Sequence, residues 1–118
     1  MNNFIKIKNI NKKYEKNKLI KVLDNVSFNF ESGKIYSIVG PSGSGKSTLL
    51  NLLSLIDTPS SGTVEINQIK INFKNKIDND IIRAKNIGII YQDKNLLNDF
   101  SALENVYLPN LLLTKNKK

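Results

Sequence analysis

The hydrophobic positions divide the chain into short alternating and helical segments. Ile5 and Ile7 alternate with Lys6 and Lys8, the period-two pattern of a half-buried strand. Residues 12–18 are polar and read as a loop. Within 22–30, Val26, Phe28 and Phe30 share one face, with Ser27 and Asn29 on the other. Glu31-Ser32-Gly33-Lys34 then makes a turn. The mostly apolar run 35–39 predicts a short strand buried on both faces. Leucines at 49, 50, 52, 53 and 55 predict a helix over about 47–56, ended by Thr58-Pro59-Ser60-Ser61-Gly62. Further strands are expected at 63–66, 69–73 and 87–91. Residues 78–85 predict a helix, acidic at its start and basic at its end, as the helix dipole favours. Ser101-Ala102-Leu103-Glu104 matches a capping box, with a helix to about Leu108 before Pro109. The tail from Thr114 is polar and expected to fray. No internal repeat is found.

With 118 residues the chain can bury about two thirds of its surface, enough for one core but not for two ordinary domains. Histidine and cysteine are absent, which excludes His- or thiolate-based metal sites, disulfides, and Ser-His or Cys-based nucleophilic catalysis. The net charge is +8. Arg83 is the only arginine; the remaining basic residues are lysines, scattered rather than striped. Together with abundant Asn and Ile they fit A/T-rich coding better than a nucleic-acid footprint. No stretch reaches the roughly 18 apolar residues of a membrane span, and residues 1–14 lack the apolar core of a secretory signal. The chain therefore reads as soluble, able to reach a membrane only through a partner.

The densest chemical signal is Gly40-Pro41-Ser42-Gly43-Ser44-Gly45-Lys46-Ser47, with Thr48 behind it. It satisfies G-x-x-x-x-G-K-[ST] in full and lies between an expected strand and an expected helix. Glycines permit backbone turns that direct successive N–H groups inward as an anion-binding nest. The helix N-terminus adds its positive end. Lys46 can reach the β- and γ-phosphates, and the Ser47 hydroxyl can ligate a bridging Mg²⁺. The pattern predicts nucleoside-triphosphate binding through Gly40, Ser42, Gly43, Ser44, Gly45, Lys46, Ser47 and Thr48.

With these residues in place, the chain resembles the nucleotide-binding domain of ABC transporters from about Ile5 to Leu113. Val26-Ser27-Phe28 and Glu31-Ser32-Gly33-Lys34 look like the family's strand and turn before the phosphate loop. Leu55-Ile56-Asp57-Thr58-Pro59-Ser60-Ser61-Gly62 looks like its segment after the following helix. Tyr14 lies 26 residues before Gly40, where the resemblance implies an aromatic stacked on adenine. Arg83 and Ile87-Gly88-Ile89-Ile90-Tyr91-Gln92 resemble the approach to the Q-loop. Gln92 would then sense the γ-phosphate through Mg²⁺, making Ser47 and Gln92 the implied metal-side residues. Tyr91-Gln92, Asn95-Leu96-Leu97 and the run from Asp99 to Val106 are most similar to the lipoprotein-releasing branch and its macrolide-export relatives. The one local departure is Asn67-Gln68, where the family usually shows a glycine turn.

The resemblance implies an α/β fold of the P-loop NTPase type, a RecA-like core with an antiparallel β subdomain. Here that fold is incomplete and stops at the start of the helical subdomain. The family's signature segment, its Asp-Glu strand and its switch histidine have no counterpart in these 118 residues. Asp93 is the only acid after the phosphate loop that ends a hydrophobic run, and the neighbouring Gln92 makes a Q-loop the better reading than a metal-organising aspartate. The chain is thus expected to be the N-terminal half of an ABC ATPase, truncated or split. ATP and Mg²⁺ would be its ligands; hydrolysis would belong to the whole domain, and no catalytic residue is assigned. Integral membrane subunits would touch residues near 92–108, and a second nucleotide-binding domain would pair with the intact form. The expected location is cytoplasmic, peripheral on the inner face of the cytoplasmic membrane. Two alternatives stand beside this: a small complete P-loop kinase, disfavoured by the single arginine, and a basic nucleic-acid-binding module.

Overall fold

The computed structural model describes residues 3–15, 19–93 and 95–114. Its described elements are β1 (Asn3–Glu15), β2 (Leu19–Glu31), α1 (Lys46–Leu53), β3 (Ser61–Ile66), β4 (Ile69–Lys70), α2 (Lys76–Asn86) and α3 (Ala102–Thr114). The chain divides into two units, Met1–Asn79 and Asp80–Lys118.

The first unit is built on an antiparallel sheet of order β2-β1-β3-β4. Ile7 and Ile10 of β1, Leu23 of β2, and Val64 and Ile66 of β3 are buried together with Leu52, Leu55 and Ile71. The alternation is clearest in β3, where Val64 and Ile66 lie inside on either side of Glu65, as a period-two sequence should. The long pairing of β1 with β2 shifts register repeatedly. Asn9 and Asn25 adopt positive φ at these irregularities. Side chains cap the displaced amides: the Asn9 N–H donates to Ser27 Oγ at 2.8 Å and the Asn25 N–H to Asn11 Oδ1 at 3.0 Å. Each bulge thereby keeps its polar groups paired.

The polar stretch from Lys12 corrects the expected loop, because β1 continues through Glu15. Lys12, Lys13, Tyr14 and Glu15 pair with Leu23, Lys21, Ile20 and Leu19. Composition suggested a loop, but a ladder partner on β2 makes a strand. Residues 16–18 and the expected frayed tail at 115–118 lie outside the described residues.

Two other expectations are overturned. Neither 35–39 nor 87–91 forms a strand among the described residues. Ile35, Val39 and Ile90 are 99%, 87% and 101% exposed. A strand is stabilised by its neighbours, and no ladder partner meets either segment among the described residues. Tyr36 is held instead by its hydroxyl, which accepts from the Glu31 N–H at 2.9 Å, and by edge-on packing with Phe28 and Phe30. The fourth strand is only Ile69–Lys70, shorter than the expected 69–73, since Ile71 turns into the core.

α1 ends at Leu53, before the expected Ile56. Leu55 takes a left-handed φ of 58°. Its N–H bonds the Leu52 carbonyl at 3.1 Å, and the Ile56 N–H bonds the Asn51 carbonyl at 2.9 Å. These are the two bonds of a Schellman closure, made here with leucine rather than glycine. Burial of the Leu55 side chain, only 6% exposed, offsets the backbone strain.

In the second unit, α3 begins at the expected capping box. The Ser101 N–H donates to Glu104 Oε2 at 2.8 Å, and the Glu104 N–H to Ser101 Oγ at 3.3 Å. The Ser101 hydroxyl, which donates to Glu104 Oε2 at 2.7 Å, and the Ser101 N–H together hold the Glu104 carboxyl below its usual range. The helix runs through Pro109, against expectation. A proline there removes one bond, to the Asn105 carbonyl, but a helix already nucleated at its start gains one bond with each later residue.

Candidate nucleotide-binding site

The phosphate loop joins residues 34–40, which carry no regular structure, to the N-terminus of α1. Gly43 and Gly45 adopt φ of 79° and 91°. Gly45 is the residue before α1, in the left-handed conformation and with no side-chain cap. A Cβ there would stand 2.9 Å from the Val22 carbonyl oxygen and 3.0 Å from Leu23 Cδ2. Only glycine both takes this conformation and lets the loop lie against β2. The first turn of α1 therefore keeps its amides free to face an anion.

The Lys46 ammonium folds back over the loop. It donates to the carbonyl oxygens of Gly40 at 2.8 Å and Pro41 at 2.7 Å. Ser42, Gly43, Gly45, Lys46, Ser47 and Thr48 line an open cleft of about 230 Å³ together with Val22 of β2. Ser44 is beside them, its N–H reaching the Pro41 carbonyl at 3.3 Å. Gly40 faces the same loop: a Cβ on it would meet Ser44 Oγ at 2.7 Å. The expected phosphate-binding residues thus occupy one continuous loop and helix start.

Tyr14 projects from the end of β1 toward the same region. Its hydroxyl donates to Asp57 Oδ2 at 2.8 Å. That hydrogen bond, with burial, pushes the phenol above its ordinary range, while an approaching Thr48 side chain acts in the opposite direction. The structure therefore brings Tyr14 next to the helix that the phosphate loop opens. Gln92 and Asp93 sit in a bend of the second unit, both exposed. Arg83 ion-pairs with Asp80 of its own helix at 2.8 Å.

Two residues of this region were not anticipated. Lys12 is buried, and its ammonium donates to Asp57 Oδ1 and to the Thr58 carbonyl, each at 2.6 Å. It also lies over the Tyr14 ring, 4.8 Å from the centroid. Burial alone would raise the Asp57 carboxyl, but hydrogen bonds from Lys12, Tyr14 and the Thr58 amide outweigh it and hold the group below the usual carboxylate range. The Schellman closure of α1 presents this carboxylate to β1. The signal was the i, i+2 spacing of Lys12 and Tyr14, which shares a strand face only once 12–15 is known to be a strand.

A loop of this geometry, ahead of a helix and beside an antiparallel sheet, defines a P-loop nucleotide-binding fold. The sequence profile of the ABC transporter family matches residues 23–118, and the chain belongs to that family. Among individual proteins, it is 42% identical over 120 residues to the lipoprotein-releasing system ATP-binding protein LolD of Rickettsia bellii, covering 99% of this chain and 51% of that one. The LolD of Wigglesworthia glossinidia brevipalpis is 45% identical over 115 residues, or 95% and 50% of the two chains. Among solved structures, the dimeric post-hydrolysis state of the ATP-binding cassette MJ0796 bound to ADP and Pi superimposes with a TM-score of 0.86 at 42% identity, over 92% of this chain and 47% of that one. The chain spans about half the length of these relatives. Its fold is that of the ABC ATPase cassette in part: the antiparallel sheet, the phosphate loop and the helices that follow.

Proposed function

We propose that this chain binds MgATP as the phosphate- and base-recognising half of an ABC transporter ATPase of the lipoprotein-releasing type. The observation that carries the reading is the glycine-shaped loop from Gly40 to Lys46 opening α1, in a chain of the ABC family. ABC ATPases bind ATP, and the neighbouring cassette holds ADP and Pi. The α1 amides would take the phosphate oxygens. Lys46 would exchange its carbonyl partners for the β- and γ-phosphates, and Ser47 would ligate Mg²⁺. The donor set fits the ion: a hydroxyl beside phosphates suits a hard, oxygen-seeking cation. Tyr14 would stack on the base. By its family position, Gln92 would serve as the Q-loop glutamine that senses the γ-phosphate through Mg²⁺.

Hydrolysis is proposed for the complete cassette, whose relatives are about twice as long. The work it powers would be lipoprotein release or a related export step. The cassette would act as a dimer, docked on integral membrane subunits at the inner face of the cytoplasmic membrane. Leu96, Leu97, Leu103 and Val106 are exposed apolar residues suited to that docking. No helix among the described residues is long and apolar enough to cross a membrane.

Titration of the chain with MgATP in a calorimeter tests the reading. Binding is expected in the wild type and lost by at least tenfold in Lys46→Ala, which removes a charge-assisted contact worth about 1.5–3 kcal/mol. Absence of magnesium-dependent heat at millimolar ATP would refute it.

A further inference from the structure

Among the described lysines, Lys12 is the one whose residue is buried. It is 8% exposed, and its ammonium is committed to Asp57 and the Thr58 carbonyl. It is therefore not a mobile cation waiting for a phosphate, the role proposed for Lys46. The same carboxylate that holds Lys12 through Oδ1 accepts the Tyr14 hydroxyl through Oδ2. One aspartate thus fixes a cation and an aromatic ring relative to each other. Lys12 lies over the ring, so it takes one of the two faces. Tyr14 remains 40% exposed. Asp57 itself is carried on the segment that closes α1, so its position is referred to the helix that the phosphate loop opens.

We infer that Lys12 and Asp57 are positioning residues for the base end of the nucleotide: the carboxylate anchors the Tyr14 hydroxyl, and the ammonium backs one ring face so that the other presents to a purine. The inference rests on the proposed stacking role of Tyr14. It makes base recognition separable from phosphate recognition, with Asp57 linking the two along α1. A ring held at its hydroxyl and backed by a cation loses less freedom when a base stacks on it than an untethered ring would. Cation–π contact also draws on the ring's electron density, which favours an electron-rich purine on the opposite face.

The test compares two ligands on the full chain: MgATP, and magnesium tripolyphosphate, which carries the phosphates without a base. Dissociation constants for both are measured in the wild type, Lys12→Met, Asp57→Asn, Tyr14→Phe and Tyr14→Leu. The wild type is expected to prefer MgATP. Lys12→Met and Asp57→Asn should each shrink that preference about three- to tenfold, the scale of an aromatic contact, with tripolyphosphate affinity held within about twofold. Tyr14→Phe keeps the ring and loses the anchor, so it should shrink the preference partially; Tyr14→Leu should abolish it. If Tyr14→Leu abolishes the preference while Lys12→Met and Asp57→Asn leave it intact, base stacking stands and the positioning role is overturned. Equal weakening of both ligands in Lys12→Met and Asp57→Asn marks a merely structural role and also overturns it. If Tyr14→Leu changes nothing, the stacking reading itself fails. Should Asp57→Asn or Lys12→Met not fold, Tyr14→Phe decides: an unchanged preference there overturns the anchor.

Discussion

Asn67 and Gln68 connect β3 to β4 with both φ values positive, 48° and 66°. A two-residue hairpin loop of this kind is a type I′ turn, whose hand matches the twist of the strands it joins. The sequence offers no glycine here, where the resemblance implied one. The structure makes the same turn with side chains present. Asparagine tolerates the left-handed region; glutamine does so at a cost of about 1–2 kcal/mol. Glycine would relieve that strain and return about 0.5–1 kcal/mol as lost chain entropy. Gln68→Gly should therefore stabilise the first unit by roughly 0.5–1 kcal/mol, read as a higher urea midpoint with an unchanged slope. An equal or lower midpoint would show that Gln68 rests there without strain.

At the scale of elements, the most legible feature was the start of α3. Serine and glutamate three residues apart announce a reciprocal cap, and both bonds form. Asn105 adds to it: its side-chain amide donates to the carbonyls of Leu97, Phe100 and Ser101, and its carbonyl oxygen accepts from the Leu97 N–H. That second clamp fixes the approach to the helix and was invisible in the sequence, because it ties Asn105 of the helix to a loop residue eight positions earlier. Ser101→Ala removes the cap while sparing the clamp. It should cost α3 about 1 kcal/mol, seen as roughly fivefold faster amide exchange in its first two turns. Unchanged exchange there would mean the Asn105 bonds suffice by themselves. The phosphate loop was equally legible, since its glycines are required by local backbone geometry. The strands expected at 35–39 and 87–91 were not, because hydrophobic pattern reports what a segment can bury and says nothing of whether a neighbouring strand meets it. Lys12 was missed for the converse reason: a lysine in a polar run gives no sign that an aspartate 45 positions away will neutralise it.

Over the whole molecule, that long-range pair has a consequence for acid stability. Asp57 joins β1 to the close of α1, and its carboxyl is held below the ordinary range by Lys12, Tyr14 and the Thr58 amide against the opposing effect of burial. A carboxyl with a lower pKa in the folded state binds fewer protons there than in the unfolded chain, so stability rises with pH through this window. The contribution is fully present above the unfolded value near 4 and is lost as pH falls through the folded one. Protonation would also leave the buried Lys12 ammonium facing a neutral group, a costly arrangement in so dry a place. Urea unfolding followed from pH 6 to pH 2.5 should show wild-type stability declining below about pH 4. Asp57→Asn, which cannot titrate, should begin about 1–3 kcal/mol less stable at pH 6 and decline less steeply, so that the two curves converge in acid. Parallel curves would place the acid-sensitive carboxylate elsewhere.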